Sequence, residues 1–340
     1  MGWLGNKLKK LARDVAGAPP VELTFVPSVS ARGIPGVGEA IEPDSCYIEL
    51  YLESLRLARA RVFATRFHGV AYSFVTLPRE GEQRAQLTAV SKPEKLAELD
   101  ASSLDRVITV SKQMMGPTAF RGGPVSLEFG LFSVKRGNLL TPLLDYITRV
   151  SAAAGISYVG AIKPFLPLIT EGMDLIAGQV QDTALEVGVD TDLVLATSCV
   201  AAIIARPKGS IDPEKLSLDG DRRLLLDGEP LDCGYATFSL RRTLEKSDYG
   251  EIPELKERYA AIQSAIRSNK EKDALDALTA FRLAALASPD LIPSDARKLV
   301  EKVKQKVTEA FTGEKKSGEF VAVGTGALRQ ETLSQIRLYE

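Results

Sequence analysis

The chain has 340 residues, 45% hydrophobic and 26% charged, which suits two ordinary domains or one large domain with an extension. Lys and Arg number 43 against 44 Asp and Glu, and this net charge of -1 argues against a protein wrapped in nucleic acid. A single histidine, His68, and three scattered cysteines, Cys46, Cys199 and Cys233, argue against a multi-histidine metal centre and a disulfide framework, and favour a reducing compartment.

The first segment, residues 1–17, reads as a basic amphipathic helix. Leu4, Leu8, Leu11 and Val15 recur at helical spacing, with Lys7, Lys9, Lys10 and Arg13 offset from them. Gly17 and the prolines after it stop the pattern. Trp3, Leu4, Lys7, Leu8, Lys9, Lys10, Leu11 and Arg13 form a candidate partner- or membrane-binding set, because an apolar stripe edged by cations fits an anionic membrane surface or a protein groove.

Residues 18–245 read as a β-rich domain with inserted helices. "VELTFVPSV" opens it, and the glycine- and proline-rich "ARGIPGVGEAIEPD" is a loop. Strands are expected in "CYIELYLESLRLARARVFATRFHGVAYSFVTL", "QRAQLTAV", "DRVITVSKQMMG" and "PVSLEFGLFSV". In the last of these the apolar face changes near Gly130, which predicts a β-bulge there. The glycines of "FRGGPV" mark a turn, since a phosphate loop needs a helix N-terminus just after it. Arg121, Lys135 and Arg136 form a candidate exposed basic corner.

A helical pair is expected over about 141–178, begun by Thr141 and Pro142. "LVLATSCVAAIIA" is too short to span a bilayer and reads as one or two buried strands, with Cys46 and Cys199 as buried structural thiols. "LSLDGDRRLLLDGEPL" reads as a hairpin with Asp-Gly turns, which explains Asp219, Asp221, Asp227 and Glu229 more simply than a calcium loop does. Asp190 and Asp192 are placed in a turn or loop mouth, and "CGYATFSLRR" is placed where it closes the sheet.

Residues 246–312 carry three helical patterns, read as an antiparallel bundle. Leu275, Leu278, Phe281 and Leu286 are taken as one packing stripe, and Ser294 as the cap of the last helix. Residues 313–340 are a polar linker followed by a docking segment that adds a strand to its own or a neighbour's sheet.

Motifs of catalysis are missing. "GTGALR" at Gly324 lacks the third glycine of a dinucleotide fingerprint, and neither a P-loop nor a nucleophile elbow is present. His68, in a strand-like run, reads as a half-buried polar residue. The order of strands resembles that of C2-type β-sandwiches, which implies docking on membranes or proteins. The aspartate loops of calcium-binding members have no match, so no site residue is carried over.

The expected architecture is α+β: a mainly antiparallel, β-sandwich-like domain with inserted helices, plus a C-terminal helical bundle. The expected function is that of a non-enzymatic interaction protein: an adaptor, scaffold or subunit of a cytoplasmic multi-protein assembly. Its partners are other proteins, with oligomerisation open and no nucleic acid, cofactor or metal expected. The alternative is a peripheral membrane effector that uses the N-terminal helix and is released by proteolysis or partner dissociation. An unrecognised enzyme is the third reading.

Overall fold

The computed structural model describes residues 24–56, 67–78, 84–90, 108–135, 183–207, 209–246, 248–312 and 331–339. The expected N-terminal helix, the helical pair of about 141–178, and residues 313–330 of the expected linker and docking segment lie outside them. The chain is mixed α+β, with three sheets, largely antiparallel, and three α-helices among the described residues. It divides into two compact units. The first holds residues up to 41, 48–116 and 122–242; the second holds 42–47, 117–121 and 243–340.

The first unit is built on strands. One sheet runs in the order β1 (Thr24–Val26), β9 (Cys199–Ile204), β13 (Tyr235–Thr243), β3 (Tyr47–Arg56) and β6 (Ile108–Ala119). The "CGYATFSLRR" stretch therefore does not close this sheet; β13 lies inside it, between β9 and β3. Tyr235 to Leu240 are buried without a break, so β13 is paired along both edges and covered on both faces. Of the thirteen-residue apolar run, Cys199–Ile204 forms one strand, β9, and only Leu193 belongs to another, as the last residue of β8 (Thr183–Leu193); Val194 between them is 87% exposed.

A second sheet joins β12 (Glu229–Pro230), β11 (Leu224–Leu226), β10 (Leu216–Leu218) and β2 (Ser30–Ala31); β2 and β10 are parallel. The predicted hairpin is β10–β11, antiparallel, followed by a second turn at Asp227–Gly228 into β12. Val26, Val200, Ile204, Leu216, Leu224 and Tyr235 share one core cluster.

The third sheet orders β5 (Arg84–Val90), β4 (Phe67–Pro78), β7 (Val125–Lys135) and β8, all antiparallel. Gly122 and Gly123 take φ of 85° and 76° in the turn before β7, conformations natural to glycine. The predicted irregularity exists but sits on the other strand. β7 and β8 slip register between Leu131 and Phe132, and the surplus residue is Glu186 of β8. Asp190 and Asp192 are not in a turn; they stand within β8, opposite Glu128 and Ser126. His68 lies in β4, opposite Val134.

The second unit is helical. Its helices are α1 (Pro253–Arg267), α2 (Glu271–Ala287) and α3 (Pro293–Thr312). Proline begins α1, where its missing N–H is not needed. α1 ends in a Schellman turn: Asn269 has φ 54°, Asn269 N–H donates to Ile266 O and Lys270 N–H to Ala265 O, both at 3.0 Å. Leu255, Tyr259, Ile262 and Ile266 of α1 are buried, and Tyr259 meets Phe281 of α2 with ring centres 6.2 Å apart. α3 begins at Pro293, so Ser294 falls inside its first turn instead of capping it. Proline's fixed φ starts the helix two residues earlier than a cap at Ser294 would have it.

The described end of the chain, 331–339, docks on this helical unit as a 3-10 turn, Leu333–Gln335, and adds no strand. Leu333 and Ile336 are buried, Lys306 pairs with Glu331, and Gln263 donates to Glu331 O at 2.5 Å. Gly250 permits the approach, because a Cβ there would stand 2.2 Å from Ser334 Oγ.

Candidate interaction surface

Two buried carboxylates are the strongest polar features, one in each unit. In the first unit Glu53 on β3 is 0% exposed. Arg241 of β13 and Arg222 of the β10–β11 turn both pair with it, and Ser239 donates to it at 2.5 Å. Arg241 also donates to Ser239 at 2.8 Å and stacks over the Tyr51 ring, 4.3 Å from its centre. Period-two alternation places Glu49, Tyr51 and Glu53 on one face of β3. Arg222 reaches Ser111 as well, and these two residues take φ of 61° and 44°, a left-handed backbone that costs a non-glycine about 1–2 kcal/mol. Burial pushes the Glu49 carboxyl up, against the pull of Arg241 and hydrogen bonds from Tyr51 and Gln113.

Such a pair of carboxylates invites an acid–base reading. Glu49 and Glu53 are four residues apart on one strand, roughly 13 Å at the rise of a strand, too far to flank one bond. Glu53 is occupied on both oxygens by cations of its own chain.

In the second unit Asp295, also 0% exposed, stands in the first turn of α3, where the helix dipole favours an anion. Three phenols donate to it: Tyr47 at 2.8 Å, Tyr249 at 3.1 Å and Tyr339 at 2.5 Å. Tyr47 accepts from Ile292 N–H at 3.3 Å, and Lys298 Nζ lies 3.7 Å from the centre of the Tyr339 ring. Burial first, and Asp295 second, push the Tyr47 and Tyr249 hydroxyls up; for Tyr339 burial leads and the hydrogen bond to Asp295 follows. Lys246 is buried too, donates to Pro117 O at 3.3 Å and lies 3.8 Å from Glu251, and burial pulls its ammonium down.

These clusters close on themselves. An open groove of about 650 Å³ runs along α3 past Lys298, Glu301, Lys302, Gln305 and Leu338, and none of Glu53, Asp295 or Lys246 lines it. Among the described residues no group of three or more His, Cys, Asp or Glu could hold a metal ion, and no helix is long and apolar enough to cross a membrane. The aspartates of the hairpin serve its turns: Asp219 accepts from Arg223 N–H at 2.7 Å, and Asp227 pairs with Lys215. Cys46 is buried, while Cys199 and Cys233 are half-buried thiols.

The structure treats the sequence-predicted site residues unequally. Trp3, Leu4, Lys7, Leu8, Lys9, Lys10, Leu11, Arg13 and Arg136 lie outside the described residues. Lys135 ends β7, its backbone opposite Phe67. Arg121 is not at an exposed corner: its side chain is 11% exposed, pairs with Asp44 at 2.5 Å and donates to Leu291 O at 2.7 Å and Pro289 O at 3.3 Å. The turn after Ser288 leaves carbonyls without helix partners, and a guanidinium with five donors satisfies several at once.

What sequence reading missed is the outer face of α2. The expected packing stripe does not exist as such. At about 100° per residue Leu275 and Leu286 point nearly the same way, whereas Phe281 points about 120° from Leu275. α2 buries Ala274, Phe281, Ala284 and Ala285 instead. Leu275, Leu283 and Leu286 are 49%, 66% and 49% exposed. With Thr279 they span an arc of about 80° on the outward side. An alanine-rich face against a leucine-bearing one was the available signal, since small residues let helices pack closely. No family model, no curated protein and no solved structure matches the chain.

Proposed function

We propose that the chain is a non-enzymatic interaction protein, an adaptor, scaffold or subunit of a multi-protein assembly, that docks through its helical unit. The observation that carries this reading is the outward leucine row of α2, Leu275, Leu283 and Leu286. A run of large apolar side chains on one helix face, bordered by charge, is the anatomy of a helix-mediated contact. The closure of the Glu53 and Asp295 clusters supports the same reading, because neither offers a free acid or base. The stacking of Phe129 on Phe238, 5.9 Å between centres, supports a sandwich of the sheets that bear them. A cytoplasmic setting agrees with three cysteines that stand as thiols.

The test is affinity capture of the full chain from the cells that make it, beside a Leu275→Ser/Leu283→Ser/Leu286→Ser variant of matched fold. Proteins recovered in stoichiometric amount with the unmodified chain are expected to be lost with the variant. Recovery of the same set by both would overturn the reading.

A further inference from the structure

We propose that the leucine face of α2 binds a second copy of this chain, in an antiparallel pairing about a two-fold axis at Thr279; the inference rests on the reading of α2 as a docking surface. The pattern is self-complementary about that residue. Leu275 and Leu283 stand four residues to either side of Thr279, and Lys272 and Leu286 stand seven. A two-fold axis across antiparallel helices sets each such residue level with its counterpart on the other copy. Leu275 then shares a layer with Leu283 of the other copy, and Leu286 lies along the methylene stem of Lys272.

Thr279, at the axis, is short enough for close approach. Its hydroxyl donates to Leu275 O at 3.0 Å, so the centre of the seam brings no unsatisfied donor into the contact. Charge fits as well. Glu271 and Arg282 occupy the same flank of the helix, and both are exposed. In the pairing, Arg282 of one copy falls about 7–8 Å along the axis from Glu271 of the other, within reach of two long side chains. The symmetry supplies this pair twice. On the opposite flank Asp276 stands one turn from Lys272 of its own helix.

One helix pair buries less area than the roughly 1,200 Å² of a standard stable interface, so the dimer is weak and concentration-dependent. Sedimentation velocity on the full chain, from low micromolar to near-millimolar concentration, tests it. The unmodified chain is expected to pass from monomer to dimer. Leu283→Glu, with helix content checked by circular dichroism, is expected to weaken the dimer by at least about tenfold, because a charge enters its core. Glu271→Arg and Arg282→Glu alone should each weaken it several-fold, and the two together should restore it to within about twofold.

A monomer throughout the series would overturn the proposal, as would a dimer that Leu283→Glu leaves intact. A double swap that fails to recover would overturn the antiparallel register. The docking reading fails separately. If the chain is a monomer but the serine variant still loses captured proteins, the face serves a different protein. If the chain is a monomer and the variant also loses nothing, both ideas fall.

Discussion

Glu53 and Asp295 are both sealed from water, one in each unit, and they are held in opposite ways. Glu53 sits between two guanidinium groups that never lose their charge. Asp295 is held by three neutral phenols and a helix N-terminus. The first arrangement balances a buried anion with buried cations, so it fails when either sign is removed. The second spreads one negative charge over three donors drawn from distant parts of the chain, Tyr47, Tyr249 and Tyr339, so it acts as a tie. Each is a structural answer to the cost of burying a carboxylate.

Removing the charge of Glu53 should do the most damage. Glu53→Gln leaves Arg222 and Arg241 around a neutral amide, and the expected loss is about 3–5 kcal/mol in urea unfolding. Asp295→Ala comes next, at about 3 kcal/mol. It leaves the Tyr47 and Tyr249 hydroxyls buried without an acceptor, whereas the half-exposed Tyr339 finds water. Arg121→Ala, which strips the carbonyls around Leu291 of their donor, should cost about 1–3 kcal/mol.

Alkali sharpens the contrast further. A tyrosine whose hydroxyl is raised on folding stabilises fully below about pH 10, and that contribution is lost as pH climbs through the folded value. Burial pushes Tyr235 and Tyr259 up to about 12, and Tyr47, Tyr249 and Tyr339 are raised too, with help from Asp295. Tyrosinate absorbance should therefore lag behind that of the unfolded chain between pH 10 and 12 and rise with unfolding. Asp295→Asn should bring the rise to lower pH. Glu53→Gln should also bring it lower, through its loss of stability alone, since Glu53 accepts from no tyrosine.

The smallest effect belongs to Glu49. Its carboxyl is raised by burial, so its contribution is present below the unfolded value of 4.5 and is lost as pH rises through the folded one. The ionised group is then a net cost at neutral pH. Glu49→Gln, which keeps an acceptor for Gln113, should stabilise the chain at pH 7 by less than about 1 kcal/mol and change nothing at pH 4.

Much of the architecture was legible in the sequence, because local signals and tertiary packing agree there. Strand-like runs bounded by turn residues found β4, β5, β6 and β7, and helical periodicity found α1, α2 and α3. The central place of β13 was not legible, since sheet order depends on partners far away in sequence. Nor was the outward turn of Leu275 and Leu286: hydrophobicity names residues that are suited to burial, and here the alanine face of α2 packs more closely. Arg121 looked like a surface cation because no sequence rule shows which carbonyls a turn leaves bare. Both buried carboxylates passed unnoticed for the same reason, as their partners come from 44 to 248 residues away.

Assembly on the leucine face of α2 should leave the two buried clusters untouched. Hydroxyl-radical footprinting of the full chain, free and assembled, reads that directly. Leu275, Leu283 and Leu286 should oxidise in the dilute chain and be protected in the assembled one, while Tyr47 and Tyr249 stay unreactive in both. Equal oxidation of the three leucines in both states, with assembly intact, would contradict the account.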